Sequence, residues 1–259
     1  MEILDGEKAQ HLVTIPGCIE ASGVVCAQKE NLFLAASRGT GKILKIDALT
    51  NQALSETQAG SAPNGLAWDS KHKQLLVADV QDNTARLVEP YSGKLLSSLQ
   101  LRGRPRWCAY SATRDQFLVN IREPAGVALL ASEELLEKAF LQVSVAGPHG
   151  LDINDQSGLA YIACDDRAVV VLDISTGHEE NVIPIGGGPD VVWLNNQRNR
   201  FYCAIGNPGV IEVIDTRRMT VGERVKTEEG AHTFTFDTKR QRLYAFLPKS
   251  CRAAIYEEK

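Results

Sequence analysis

The chain has 259 residues, 44% hydrophobic and 23% charged, with a formal net charge of -4. That is enough apolar material for a sizeable core, and the acidic balance speaks against a nucleic-acid partner, because modules that grip phosphate backbones carry a basic stripe. No apolar run reaches the roughly 18 residues of a membrane span, and the acidic start Met1-Glu2-Ile3-Leu4-Asp5 lacks the basic and apolar segments of a secretory signal, so a cytoplasmic protein is expected.

In chain order, the first predicted element is a strand over 10–15, Gln10 to Ile15. A motif then returns with little change in spacing. It is faint at Glu20-Ala21-Ser22-Gly23 and clear at Ala62-Pro63-Asn64-Gly65, Arg104-Pro105-Arg106-Trp107, Gly147-Pro148-His149-Gly150, Gly188-Pro189-Asp190-Val191 and Gly230-Ala231-His232-Thr233. Its third residue falls at 22, 64, 106, 149, 190 and 232, in steps of 41 to 43. So regular a period marks one supersecondary unit repeated. The repeats are 16–59, 60–101, 102–143, 144–185, 186–227 and 228–259, in a single domain over 1–259.

Each repeat reads as four short strands. In the fourth they are 150–153, 159–164, 168–174 and 180–185, separated by Asn154-Asp155-Gln156-Ser157-Gly158, Asp165-Asp166-Arg167 and Ser175-Thr176-Gly177, residues suited to tight turns. The plan recurs at 75–79, 85–89 and 95–101 in the second repeat and at 200–204, 210–216 and 221–227 in the fifth. In the third, Ser132 to Phe140 has a capping serine and apolar residues at helical spacing, but the repeat register makes it a turn and an outer strand. The last repeat supplies 233–236, 243–246 and 252–257 and then stops. Four antiparallel strands repeated radially describe a β-propeller blade. The expected fold is therefore all-β, a six-bladed β-propeller of four-stranded blades, its ring closed by the N-terminal strand joining the last blade. The six cysteines, at 18, 26, 108, 164, 203 and 251, include no Cys-x-x-Cys pair and read as reduced thiols, with Cys26, Cys108, Cys164 and Cys203 inside apolar strand-like runs.

Gly-Pro-x-Gly-hydrophobic, then Leu-x-Tyr-hydrophobic-Ala, then Val-hydrophobic-Asp-x-x-Thr-Gly resembles the YVTN-type β-propeller repeat, best over 147–215, with Val171 to Gly177 and Val213 to Thr216 as third-strand signatures. That resemblance implies a fold and no particular activity. Asn64-Gly65-Leu66-Ala67-Trp68 followed by Val77-Ala78-Asp79 is similar to a blade of the gluconolactonase and senescence-marker propellers. In that family such an Asn, and an Asp in the matching place of another blade, bind a central divalent cation; here these are Asn64 and Asp190. The family takes a Glu at the first index place, where this chain has Ser22.

Independently of any family, the innermost strand of a blade starts at one mouth of a central channel, so Ser22, Asn64, Arg106, His149, Asp190 and His232 are expected there. None is apolar, and two are among only 5 histidines in the chain. His149, Asp190 and His232, from successive repeats, form two imidazoles and a carboxylate, a set that suits a divalent metal ion with open positions (Ca, Mg, Mn or Zn) and also supplies a catalytic base. Arg106 is expected to grip an anionic substrate, with Asn64, Trp107, Asp79 and Asn120 completing the binding surface. Function is then expected to be that of a metal-dependent hydrolase of lactonase or esterase type, or a lyase, acting on a small anionic metabolite. The alternative is a non-catalytic propeller that serves as a scaffold for a ligand or a protein partner.

Overall fold

The computed structural model describes residues 1–257. The chain divides into two compact units, Met1–Phe140 and Leu141–Lys259, each built from antiparallel sheets whose strands follow one another in sequence. The only helix among the described residues is a single 3-10 turn, Gln28–Glu30. In the first unit, blade 1 comprises Ala21–Ala27, Leu32–Ser37, Lys42–Asp47 and Gln52–Gln58, and blade 2 Pro63–Asp69, Gln74–Asp79, Thr84–Glu89 and Lys94–Gln100. Blade 3 comprises Pro105–Ser111, Gln116–Ile121, Gly126–Ala131 and Glu137–Gln142, the last crossing the boundary by two residues. In the second unit, blade 4 is Pro148–Asn154, Leu159–Cys164, Ala168–Asp173 and Glu179–Pro184, and blade 5 is Pro189–Asn195, Arg200–Ile205, Val210–Asp215 and Thr220–Lys226. Among the described residues blade 6 has three strands, Phe234–Asp237, Arg242–Leu247 and Arg252–Glu257. The fold is that of a six-bladed β-propeller.

Burial explains why the sequence reads as it does. Gln74–Asp79 and Gln116–Ile121 are buried at every position, while the outer strands Gln52–Gln58 and Lys94–Gln100 are largely exposed. Middle strands are covered on both faces and so carry unbroken apolar runs. The core lies between blades. Leu76 and Leu87 of blade 2 pack with Phe117 and Leu130 of blade 3, and in the second unit Tyr161 stacks on Phe201 at 5.3 Å and Tyr202 on Phe236 at 5.1 Å. Cys108, Cys164 and Cys203 are buried free thiols, as expected, whereas Cys26 is exposed. Asp47, Asp173 and Asp215, each at the end of a third strand, accept two backbone N–H groups from the following turn. This holds the Asp47 and Asp215 carboxyls below the usual range.

The segment after Ser132 follows the repeat register. Leu135 is buried in the left-handed region at φ 52°, which stops a helix, and Glu137–Gln142 is the outer strand. The N-terminus departs from expectation. Gln10–Thr14 pairs with Glu2–Asp5, and blade 6 keeps three strands rather than gaining this one as a fourth. Met1, Ile3 and Val13 pack against Ile15, Ala35, Leu44 and Ile46 of the first unit. A partner only four residues away closes a short loop at little entropic cost.

The recurring motif has a structural cause. In blades 1 to 5 the pairing of the first two strands slips by one residue at the motif, so that Pro148 faces Cys164 but Gly150 faces Ala163, and Pro63 faces Asp79 but Gly65 faces Ala78. One extra residue sits on the inner strand, a β-bulge that re-aims its side chain. In blades 2 to 5 a proline opens the strand, where no ladder N–H is needed. The glycine after the bulge permits contact between blades: a Cβ on Gly23, Gly65 or Gly150 would run into the carbonyl oxygen of Asn64, Arg106 or Asp190, the motif residue of the following blade. Gly65→Ala is therefore expected to cost about 1–3 kcal/mol in denaturant unfolding. Gly222→Ala, whose added Cβ would meet only Val213 O at 3.7 Å, is expected to change the midpoint little.

Candidate functional site

The second unit brings together three of the expected residues. His149 Nε2 lies 3.2 Å from Asp190 Oδ1, and His232 Nε2 lies 3.8 Å from Asp190 Oδ2. The bulge in Pro148–Asn154 places His149, the bulge in Pro189–Asn195 places Asp190, and a backbone bond from Val191 N to His232 O (3.3 Å) draws His232 alongside. A fourth residue completes the group. Asp165 Oδ1 is 2.8 Å from His149 Nδ1, and Asp165 is anchored by its N–H to Gly147 O at 2.8 Å. Gly147, at φ 71°, leaves room for it: a Cβ there would lie 2.7 Å from the Asp165 Cβ.

Orientation is the informative part. His232 Nδ1 stands 2.7 Å from the Gly230 carbonyl oxygen, which can only accept, so Nδ1 carries the proton. Asp165 plays the same role for His149. In the neutral form of each ring the lone pair is then on Nε2, and both Nε2 atoms face Asp190. An imidazole whose Nδ1–H is held by an oxygen and whose Nε2 is turned toward a carboxylate matches the second-shell pattern of metal-binding histidines. His149 is 9% exposed, while the His232 side chain is 54% exposed. A metal ion holds its ligands at about 2.0–2.2 Å, and since His149, Asp190 and His232 do not bring one ligand atom each within 4.8 Å of one another, binding one here requires the exposed His232 ring to move closer.

The residues expected to bind substrate all belong to the first unit. The side-chain oxygen of Asn64, which the family resemblance assigns to a cation, instead accepts from Arg38 Nη2. Asp79 is fully buried, pairs with Arg86 at 3.1 Å, and accepts N–H groups from Ala62, Gln81 and Asp82, so it holds its blade together rather than facing a ligand. Asn120 is likewise fully buried in a middle strand. Arg106 and Trp107 occupy the bulge of blade 3, both partly buried.

A second cluster had no sequence signal, because His72 reads as a turn residue. Asp69, His72 and Asp115 place one ligand atom each within 4.8 Å of one another. Their oxygens are already used. Asp69 accepts from the His72 ring at 2.7 Å, from Gln74 at 3.0 Å and from two backbone N–H groups. Asp115 takes the Lys71 ammonium, the Tyr110 hydroxyl at 2.9 Å and the Ser132 hydroxyl at 2.6 Å. Lys71, followed by Ser132, holds the Asp115 carboxyl far below its ordinary range. This network ties the end of blade 2 to blade 3.

Fold and site together define a β-propeller that carries paired imidazoles and carboxylates where the inner strands of its second unit begin. No family model matches the chain, and no curated protein matches it. Among solved structures it is similar to Kuenenia stuttgartiensis hydrazine synthase, with TM-score 0.68 and 10% identity over 96% of this chain and 99% of that one. It is also similar to the dihydro-heme d1 dehydrogenase NirN in complex with DHE, with TM-score 0.75 and 18% identity over 100% of this chain and 59% of that one. At such identities the likeness is one of fold. No helix among the described residues is long and apolar enough to cross a membrane.

Three residues beyond His149, Asp152 accepts Leu194 N at 2.7 Å from blade 5 and Ile153 N at 2.8 Å. Burial pushes its carboxyl up to about 6, the two N–H groups offsetting only part of that cost. A carboxyl raised above its unfolded value binds its proton more tightly when folded, so its contribution to stability falls as pH rises from about 4 to about 6. Asp152→Asn, which keeps an acceptor for Leu194, is expected to melt a few degrees above wild type at pH 7, the gap closing toward pH 4 in thermal scans.

Proposed function

We propose that His149, Asp190 and His232 bind a divalent transition-metal ion, and that the protein uses this site in a metal-dependent hydrolase or lyase reaction on a small anionic metabolite. The observation that carries the reading is the shared aim of the two Nε2 atoms at Asp190, each ring held from behind by an oxygen at 2.7 or 2.8 Å. Two histidines and one carboxylate leave coordination positions open for a substrate oxygen, and the bound ion would supply Lewis-acid polarisation of that oxygen. Asp165 fixes the His149 tautomer and raises its basicity as a ligand. Outside a metal complex the His149 ring, set between Asp165 and Asp190, is placed to take up a proton at Nε2 and release it.

Protein purified without an affinity tag is expected to bind one equivalent of Zn2+ or Co2+ in calorimetric titration. Asp165→Asn is expected to weaken binding by about 10–100-fold, and His149→Ala with His232→Ala to abolish it. Hydrolysis across a lactone and ester panel should disappear with chelator and return with the metal. Equal metal binding by the double variant would sink the reading.

A further inference from the structure

Arg38 follows the second strand of blade 1 directly, at the same end of the blade as the motif residues. Its Nη2 donates to the side-chain oxygen of Asn64 in blade 2. Its Nε is buried with no hydrogen-bond partner, and among the described residues no carboxylate lies within ion-pair distance of it. A guanidinium stays charged at any ordinary pH, and a partly buried charge facing only a neutral amide is costly unless an anion or water completes its surroundings. Asn64 is 8% exposed, and Arg38 settles which way its amide points. With the oxygen given to the guanidinium, the NH2 group is turned away from Arg38, and no protein acceptor takes it.

An amide that presents N–H groups beside a guanidinium suits a negative ligand and repels a cation. Two further arginines stand at the same end of blade 3, and the Arg38 N–H bonds to Glu20 O at 3.3 Å, so a carboxylate residue stands at the same end of blade 1. Gly65 packs on the Arg106 carbonyl, which sets the Arg106 backbone beside that of Asn64, and Arg122 follows the second strand of blade 3 as Arg38 follows that of blade 1, its N–H bonded to Arg104 O at 2.9 Å. We propose that Arg38 and Asn64 form the centre of an anion site in the first unit that takes a carboxylate or phosphate group of a small molecule. Arg38 contributes charge and its remaining Nη1 donors, and Asn64 contributes its NH2. The site is separate from the metal reading of the second unit and stands if that reading fails.

The test uses untagged protein in chelator, so that no metal contributes, with inorganic phosphate and succinate as separate probes. At least one of them at about 10 mM is expected to raise the melting temperature by roughly 3 °C. Phosphate alone acting points to a phosphate group, succinate alone to a carboxylate. Arg38→Gln should weaken the effective anion at least tenfold, and Arg252→Gln, in an exposed strand of blade 6, should leave it unchanged. Asn64→Asp supplies a built-in carboxylate for Arg38, so this variant should melt above wild type without added anion and gain nothing from it. The proposal is overturned if neither probe stabilises the wild type, or if Arg38→Gln and Asn64→Asp both respond as the wild type does.

Discussion

One extra residue at the start of the inner strand in five of the six blades decides where the motif side chains are aimed. In a regular strand, side chains alternate between faces, and a polar residue at these positions would be directed into a blade face. The bulge breaks that alternation, and in blades 1, 2 and 4 the glycine after it lets the next blade approach until its motif carbonyl touches the backbone. The scaffold thus repeats while the chemistry varies with the residue on the bulge. Ser22 bonds to Pro63 O at 2.9 Å, Asn64 is captured by Arg38, and His149 sits between two carboxylates.

The two imidazole clusters show how neighbours decide the use of the same residue types. His72 and His149 both set Nδ1 against an aspartate, at 2.7 and 2.8 Å. Around His72 a lysine, a tyrosine, a glutamine and a serine have claimed the carboxylate oxygens. At His149 the far nitrogen meets a carboxylate that it shares with another imidazole. The first arrangement spends its polar groups on joining two blades, and the second sets two imidazoles against the two oxygens of one carboxylate. Charge is similarly divided between places rather than averaged. Arg38 meets an amide in the first unit, and Asp165 and Asp190 meet imidazoles in the second.

A 42-residue period, apolar middle strands and turn-forming aspartates made blade number, strand order and the positions of His149, Asp190 and His232 legible without coordinates, because backbone geometry demands them in every repeat. Even the helical pattern after Ser132 yields to that register. What escaped were contacts that depend on residues far apart in the chain or outside the repeat. The partner of Gln10–Thr14 is a strand that lacks the motif, the role of His72 depends on Asp115 in the next blade, and the side-chain oxygen of Asn64 belongs to an arginine 26 positions earlier.

The chain by itself therefore determined the architecture and the ends of the strands at which polar side chains gather, since periodicity and turn chemistry are local properties summed over six copies. Only the tertiary structure decided which way those side chains face and what they meet. It turned Asn64 from an expected cation ligand into a hydrogen-bond acceptor for Arg38 and withdrew Asp79 into an ion pair with Arg86. It also revealed Asp165 behind His149. Orientation is set by the nearest oxygen or charge, and that neighbour arrives from another strand through packing that no sequence interval records.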